Sequence, residues 1–182
     1  LDYPCTLSSK IDGTNFCVWS ENGQIHAGSR KRELSDEKDN AQSYYWITKS
    51  DDEEAILLRE FVLNHPNLIV YGEWMGSTKF VGSIKDYTND SLQKMYIFDM
   101  YDKDKKEYLL EKEWRDFIKD TKLEKYTTEF YGEFKDLTPD KIKEIAEHNH
   151  YLLPASMVGE GIVIKPATNW RNKFGRQAYA KY

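Results

Sequence analysis

The segment Lys10-Ile11-Asp12-Gly13-Thr14-Asn15 places a lysine just ahead of a Gly-containing turn, an arrangement that can present an amine from a rigid loop. An amine attacks as its free base, and desolvation or neighbouring cations favour that form. Four further segments set polar side chains at the ends of apolar runs: Ser29-Arg30-Lys31-Arg32, Tyr71-Gly72-Glu73-Trp74, Phe98-Asp99 and Glu160-Gly161-Ile162-Val163-Ile164-Lys165. Alternate residues of a strand share a face, so Ile162 and Ile164 can fill a core while Val163 and Lys165 face the other way. A glutamate and a lysine bracketing an apolar strand suggest a polar pocket over a sheet. Taken singly, Lys10 reads as a surface lysine before a turn, and Glu73 and Glu160 as surface carboxylates at strand ends.

Other constellations carry less. His148 and His150 stand two apart with no Cys beside them, a pattern of polar loop residues rather than of a metal site. Asp102, Asp104 and Glu107 lack the glycine and terminal glutamate spacing of a calcium loop. Cys5 and Cys17 are too few for a disulfide scaffold, have no Cys-x-x-Cys or Cys/His pattern around them, and match a reducing cytoplasm.

The elements that must position these residues are legible locally. Asn22-Gly23 between two short apolar runs suits the positive φ angles of a type I′ turn and predicts a β-hairpin over 15–27. Ser50-Asp51-Asp52-Glu53 has capping-box spacing ahead of a helix over 55–63, which Pro66 ends. Residues 68–71 and 95–98 read as buried strands. Between 102 and 147, charges of both signs interleave with apolar residues at helical spacing. One amphipathic helix is predicted over 111–122, and Thr138-Pro139 starts another running to about 149; their charges read as solvated faces. Short strands over 161–165 and 177–182 complete the chain, and the fold class is α+β.

The 182 residues carry 26 Lys+Arg against 31 Asp+Glu, a net charge of −5, which argues against a generic polyanion binder. Cations nevertheless collect locally. Arg171, Lys173, Arg176 and Lys181 lie between Thr168 and Tyr182 without an acid among them, interleaved with Trp170, Phe174 and Tyr179, and Arg30, Lys31 and Arg32 add a second cluster. Cations for a phosphate backbone and rings for stacking suit a nucleic-acid strand. A mean hydropathy of −0.76 and the lack of an 18-residue apolar run exclude a membrane-spanning helix. Thirteen Tyr, eight Phe and five Trp supply enough apolar surface to exclude disorder.

Read together and in order, Lys10-Ile-Asp-Gly-Thr-Asn15, Gly28-Ser-Arg30, Val70-Tyr-Gly-Glu73, Tyr96-Ile-Phe98-Asp99, Glu160-Gly-Ile-Val-Ile-Lys165 and Lys181 resemble the motif series of the covalent nucleotidyltransferases. That superfamily holds ATP-dependent DNA ligases, RNA ligases and mRNA-capping enzymes. Asn15, where DNA ligases and capping enzymes usually carry Arg, is similar to the nick-sealing RNA ligases of the bacteriophage RNA ligase 2 type. The resemblance implies an ATP-grasp-like adenylation domain in which antiparallel sheets enclose the ATP pocket. It also implies that residues 1–182 form a nucleotidyltransferase domain lacking the C-terminal domain of a longer enzyme.

The implied chemistry has three steps. Lys10 attacks the α-phosphate of ATP to give lysyl-AMP, the AMP passes to an RNA 5′-phosphate, and a 3′-hydroxyl displaces it to join the strands. Such transfers depend on positioning and charge neutralisation, supplied by Lys, Arg and Mg2+ or Mn2+. By resemblance, Phe98 stacks on the adenine, Arg30 and Glu73 contact the ribose, and Glu160 places the nucleotide or the metal ion. Lys165 and Lys181 would contact phosphates, and Asn15 would orient the RNA end. The implied partner is RNA with 5′-phosphate and 3′-OH ends, handled by a monomer in the cytoplasm. Two departures stand out. Ser9 occupies a position commonly acidic in these RNA ligases, and the last motif shows one lysine, Lys181, instead of two. A DNA ligase or capping guanylyltransferase fragment, or an RNA-binding module without catalysis, are the alternative readings.

Overall fold

The computed structural model describes residues 3–35, 42–76, 87–154, 157–168 and 180–182. Two antiparallel sheets organise them. One holds five strands in the order β3-β2-β4-β5-β6: β2 (Thr14–Glu21), β3 (Gln24–Gly28), β4 (Leu68–Met75), β5 (Lys94–Asp102) and β6 (Glu107–Tyr108). The other holds β1 (Cys5–Ser9), β7 (Phe130–Phe134), β8 (Ile162–Pro166) and β9 (Ala180–Lys181) in the order β7-β1-β8-β9. The described helices are α1 (Gln42–Lys49), α2 (Glu53–Asn64), α3 (Glu111–Ile118) and α4 (Pro139–Glu147). This is the expected α+β architecture with antiparallel sheets. None of the described helices is long and apolar enough to cross a membrane.

Local chemistry accounts for most of the boundaries. Asn22 and Gly23 take φ of 51° and 73°, the turn the Asn-Gly pair predicts. Thr138 caps α4 by accepting from the Lys141 amide, with Pro139 in the first turn. The cap of α2 differs from the expectation. The helix begins at Glu53, so the capping side chain is Asp52, which accepts from the Glu54 amide at 3.0 Å, while the Ser50 hydroxyl accepts from the Asp52 amide. The helix expected over 111–122 stops at Ile118, because Asp120 turns to φ 61° and Thr121 caps a separate 3-10 turn, Lys122–Lys125. Helix α1 and strand β7 are elements that the sequence pattern did not reveal. Of the strand expected over 177–182, Ala180–Lys181 is described; the start of that strand, and Trp170, Arg171, Lys173, Phe174 and Arg176, lie outside the described residues.

The main core lies between one face of the five-stranded sheet and the helices. Phe16, Val18, Val70, Trp74, Met95, Ile97 and Met100 pack there with Trp46, Leu58, Val62 and Trp114. A second core joins Leu7, Ile162 and Ile164 to Leu137 and Ala146, with Ile142 and Ile145 of α4 against it. Ile162 and Ile164 therefore face a core and Lys165 the other side, as the alternation predicts. A third cluster, Ile11, Met75 and Tyr96, packs with Tyr87 and Tyr151. Ile11 is the residue after Lys10, and truncating so buried an isoleucine to alanine costs about 2–5 kcal/mol. Packing of Ile11 thus anchors the loop that carries the lysine.

Candidate active site

Lys10 stands where the chain leaves β1 in one sheet and enters β2 in the other. Its loop is pinned along its length. The Lys10 amide donates to the Gly161 carbonyl at 3.0 Å, the Asp12 amide to the Tyr87 hydroxyl at 2.8 Å, and the Gly13 amide to the Glu73 carboxylate at 3.0 Å. A Cβ at Gly13 would lie 2.6 Å from the Trp74 carbonyl oxygen, so the strand approach requires glycine. Ser9, a departure from the family pattern, is buried and joined to Glu129 in both directions: its amide donates to the Glu129 carbonyl, and its hydroxyl accepts from the Glu129 amide at 2.9 Å. Lys10 extends its amine to Glu160 Oε2, 3.2 Å away, with about a third of the lysine side chain exposed.

Alternation in β2 and β4 sends one set of side chains to the core and the other toward this junction. Glu73 lies directly across from Asn15, and both are half-buried. Burial pushes the Glu73 carboxyl up to about 7. The Gly13 amide opposes that shift, as do the charges of Lys181 and Arg30, while Asp12 adds to it. Arg30 and Lys181 are both exposed, yet each acts electrostatically on the one carboxylate. Lys181 reaches the region through β9, where it pairs with Val163.

Strand β5 contributes through an irregularity. Tyr71 pairs with Asp99 but Gly72 pairs with Ile97, which leaves Phe98 as the extra residue. The bulge re-phases the strand: Met95 and Ile97 face the core before it, Met100 after it. Phe98 and Asp99 are both left off the core face, as bulges permit. Lys165 of β8 meets this point. Its ammonium donates to the Phe98 carbonyl at 2.6 Å and to Glu111 Oε2 at 2.9 Å, and Asp99 Oδ2 stands 3.7 Å away. Burial would lower the Lys165 pKa, but the Asp99 and Glu111 carboxylates outweigh it and the net shift is upward. Burial likewise raises the Asp99 carboxyl, to about 6, against the attraction of Lys165.

The structure therefore brings Lys10, Glu160, Glu73 and Asn15 together around the loop and joins Phe98 to Lys165 at the bulge. Sequence reasoning missed Tyr87 and Glu111. The sequence pattern places Glu111 on a solvated helix face, yet its carboxylate is buried among Lys165, Trp114 and Arg115. The signal was faint: a glutamate at the start of an amphipathic helix with Trp and Arg three and four residues on. Among the described residues no group of three or more His, Cys, Asp or Glu side chains is placed to hold a metal ion. A divalent ion here would take Glu160 and oxygens from a ligand and water, the donor type that Mg2+ prefers.

The family described as RNA ligase matches residues 4–182. No curated protein sequence matches the chain. Among solved structures, Naegleria gruberi RNA ligase with PPi superposes with a TM-score of 0.67 at 21% identity, over 98% of this chain and 49% of that one. Variants of the same enzyme with ATP and Mn, and with AMP and Mn, each give a TM-score of 0.66 at 22% identity over 91% of this chain, and 46% and 47% of theirs. At these identities the likeness is one of fold. The chain spans about half the length of the structures it matches.

Proposed function

Because the chain belongs to the RNA ligase family, we propose that it carries the nucleotidyl-transfer chemistry of an ATP-dependent RNA ligase. The observation that carries this reading is the placement of Lys10: a lysine on a loop fixed at three amides, its amine 3.2 Å from Glu160. The amine, once deprotonated, attacks the α-phosphate of ATP. A nitrogen–phosphorus bond forms, the bond from the α-phosphorus to the bridging oxygen breaks, and pyrophosphate leaves. That the Naegleria gruberi enzyme of the same fold is solved with ATP and Mn and with AMP and Mn supports ATP and a divalent ion, Mg2+ or Mn2+, as the requirements here. The ion, when bound, screens phosphate charge.

The remaining roles follow position. Phe98, freed from the core by the bulge, stacks on the adenine. Glu73 accepts from ribose hydroxyls and Arg30 donates to them. Glu160 holds the nucleotide or the ion, Lys181 offers its exposed charge to the phosphates, and Lys165 fixes the Phe98 backbone through its carbonyl. Asn15, beside Glu73, orients the RNA 3′ end when AMP passes to a 5′-phosphate and the strands are joined. We place this domain, acting as a monomer in the cytoplasm, in a longer enzyme whose additional part recognises the RNA break.

Intact-mass spectrometry before and after ATP with Mg2+ tests the proposal. A gain of one AMP in the wild type, lost in Lys10→Ala, is expected. An unmodified wild-type protein that still retains RNA would replace this reading with that of a non-catalytic RNA-binding module.

A further inference from the structure

We infer that Glu111 is a positioning residue of the nucleotide site, acting through Lys165 on the bulge that carries Phe98 and Asp99. The inference rests on the nucleotidyl-transfer reading above. Glu111 opens α3, and its side chain is only 1% exposed. Oε1 accepts from Arg115 Nε at 3.0 Å and pairs with its terminal nitrogen at 2.9 Å; Oε2 accepts from Lys165 at 2.9 Å and from Trp114 Nε1 at 3.2 Å. A carboxylate has about four acceptor sites, so these donors use its capacity.

The network closes on β5. Arg115 donates to the Thr128 carbonyl at 2.9 Å, and the Thr128 amide donates to the Ile97 carbonyl at 3.0 Å, one residue before Phe98. From the other side Lys165 holds the Phe98 carbonyl at 2.6 Å. The backbone of the proposed adenine wall is thus gripped on two consecutive carbonyls, and both grips lead to Glu111. The Lys165 ammonium has three N–H groups. Two go to Phe98 and Glu111 and Asp99 faces the amine, so its directional capacity is committed to the protein. Lys165 then serves the site by fixing where the adenine sits, and Glu111 fixes Lys165.

Glu111→Gln tests this. Glutamine offers one carbonyl oxygen and an amide that is itself a donor, so it cannot serve both Lys165 and Arg115. In AMP-adduct formation, the KM for ATP should rise at least about tenfold, while the rate at saturating ATP changes less than about threefold. A structural role alone would lower the amplitude of labelling and leave KM unchanged. That outcome overturns the inference, as does a lowered KM, which a Lys165 released toward the phosphates would give. Should Glu111→Gln fail to fold, Glu111→Asp keeps the charge but shortens the reach by one methylene, so the carboxylate cannot hold Lys165 and Arg115 at once. The same rise in KM is expected there, and a wild-type KM overturns the inference. A wild-type protein that forms no adduct sinks the nucleotidyl-transfer reading itself, whereas failure of the Glu111 inference leaves wild-type labelling intact.

Discussion

The Glu73 carboxylate accepts a hydrogen bond from the Gly13 amide at 3.0 Å, which ties the end of β4 to the loop three residues beyond Lys10. One group therefore faces both the lysine loop and, in the proposed reading, the ribose. Its pKa of about 7, raised by burial, makes the arrangement dependent on pH. Above 7 the ionised carboxylate accepts from Gly13 and from a ribose hydroxyl together. Below 7 the proton removes part of that capacity. ATP affinity in the wild type is expected to rise between pH 6 and pH 8 with a midpoint near 7, and in Glu73→Gln to be weaker and flat across that range. Calorimetric titration with ATP at several pH values measures it, and an unchanged slope in the variant would count against Glu73 as the titrating group. The linkage to stability runs the other way. A folded pKa above the unfolded one means that the native state holds the proton more tightly, so this contribution is full below about 4.5 and declines as pH rises to about 7.

Phe98 is expected to act through its ring. Stacking of a base on an aromatic side chain contributes about 1–3 kcal/mol. Phe98→Ala should therefore raise the KM for ATP about 10- to 100-fold, while Phe98→Trp keeps it near the wild-type value. Steady adduct formation by both variants at wild-type KM would refute stacking.

Gly161 sits at φ 129°, and a Cβ there would lie 1.8 Å from the Tyr182 carbonyl oxygen. That oxygen accepts from the Ile162 amide in the pairing that holds β9 to β8. Gly161→Ala should cost about 1–3 kcal/mol in backbone strain and displace β9, taking Lys181 away from Glu73. Adduct formation should slow at least about tenfold. Gly132→Ala is the control: its φ of 113° is also strained, but the nearest neighbour of its Cβ is the Phe134 ring at 3.9 Å. It should lower stability without slowing adduct formation.

Glu54 lies on the helical side of β5, wholly buried, with Oε1 accepting from the Met95 amide at 2.9 Å and Oε2 without a hydrogen-bond partner among the described residues. Burial holds its carboxyl well above the ordinary range. The native chain keeps a proton that the unfolded chain releases, so stability falls as pH rises above the unfolded value. Glu54→Gln should match the wild type near pH 4 and exceed it in stability at pH 8. Urea denaturation at the two pH values checks this, and parallel curves for the two proteins would contradict it.

What could be read from residues alone divides along sequence distance. Asn22-Gly23 and Thr138-Pro139 act within a few positions of themselves, so their turn and helix start were legible. Lys10, Glu73, Phe98 and Glu160 were legible as an ordered series, although nothing local shows that the amine of Lys10 meets Glu160, 150 residues away. Glu111 was misread because its partner Lys165 lies 54 residues on, and in isolation a glutamate of an amphipathic helix looks solvated. Strand β7 escaped notice for a related reason. Its residues are at most half-buried, so they lack the alternation that marks a strand, and pairing with β1 gives them their shape.

The two sheets also differ in how the chain can reach them. The five-stranded sheet draws on residues 14–108 and pairs mostly through neighbouring strands, but the smaller sheet joins residues 5–9 to 130–134 and 162–166. Closing so long a loop is slow relative to local pairing. During synthesis the five-stranded sheet can assemble while β1 still waits for β8 to emerge. The amine of Lys10 gains its carboxylate neighbour only at that late stage, so a truncated or half-made chain carries the proposed nucleophile without the geometry to use it.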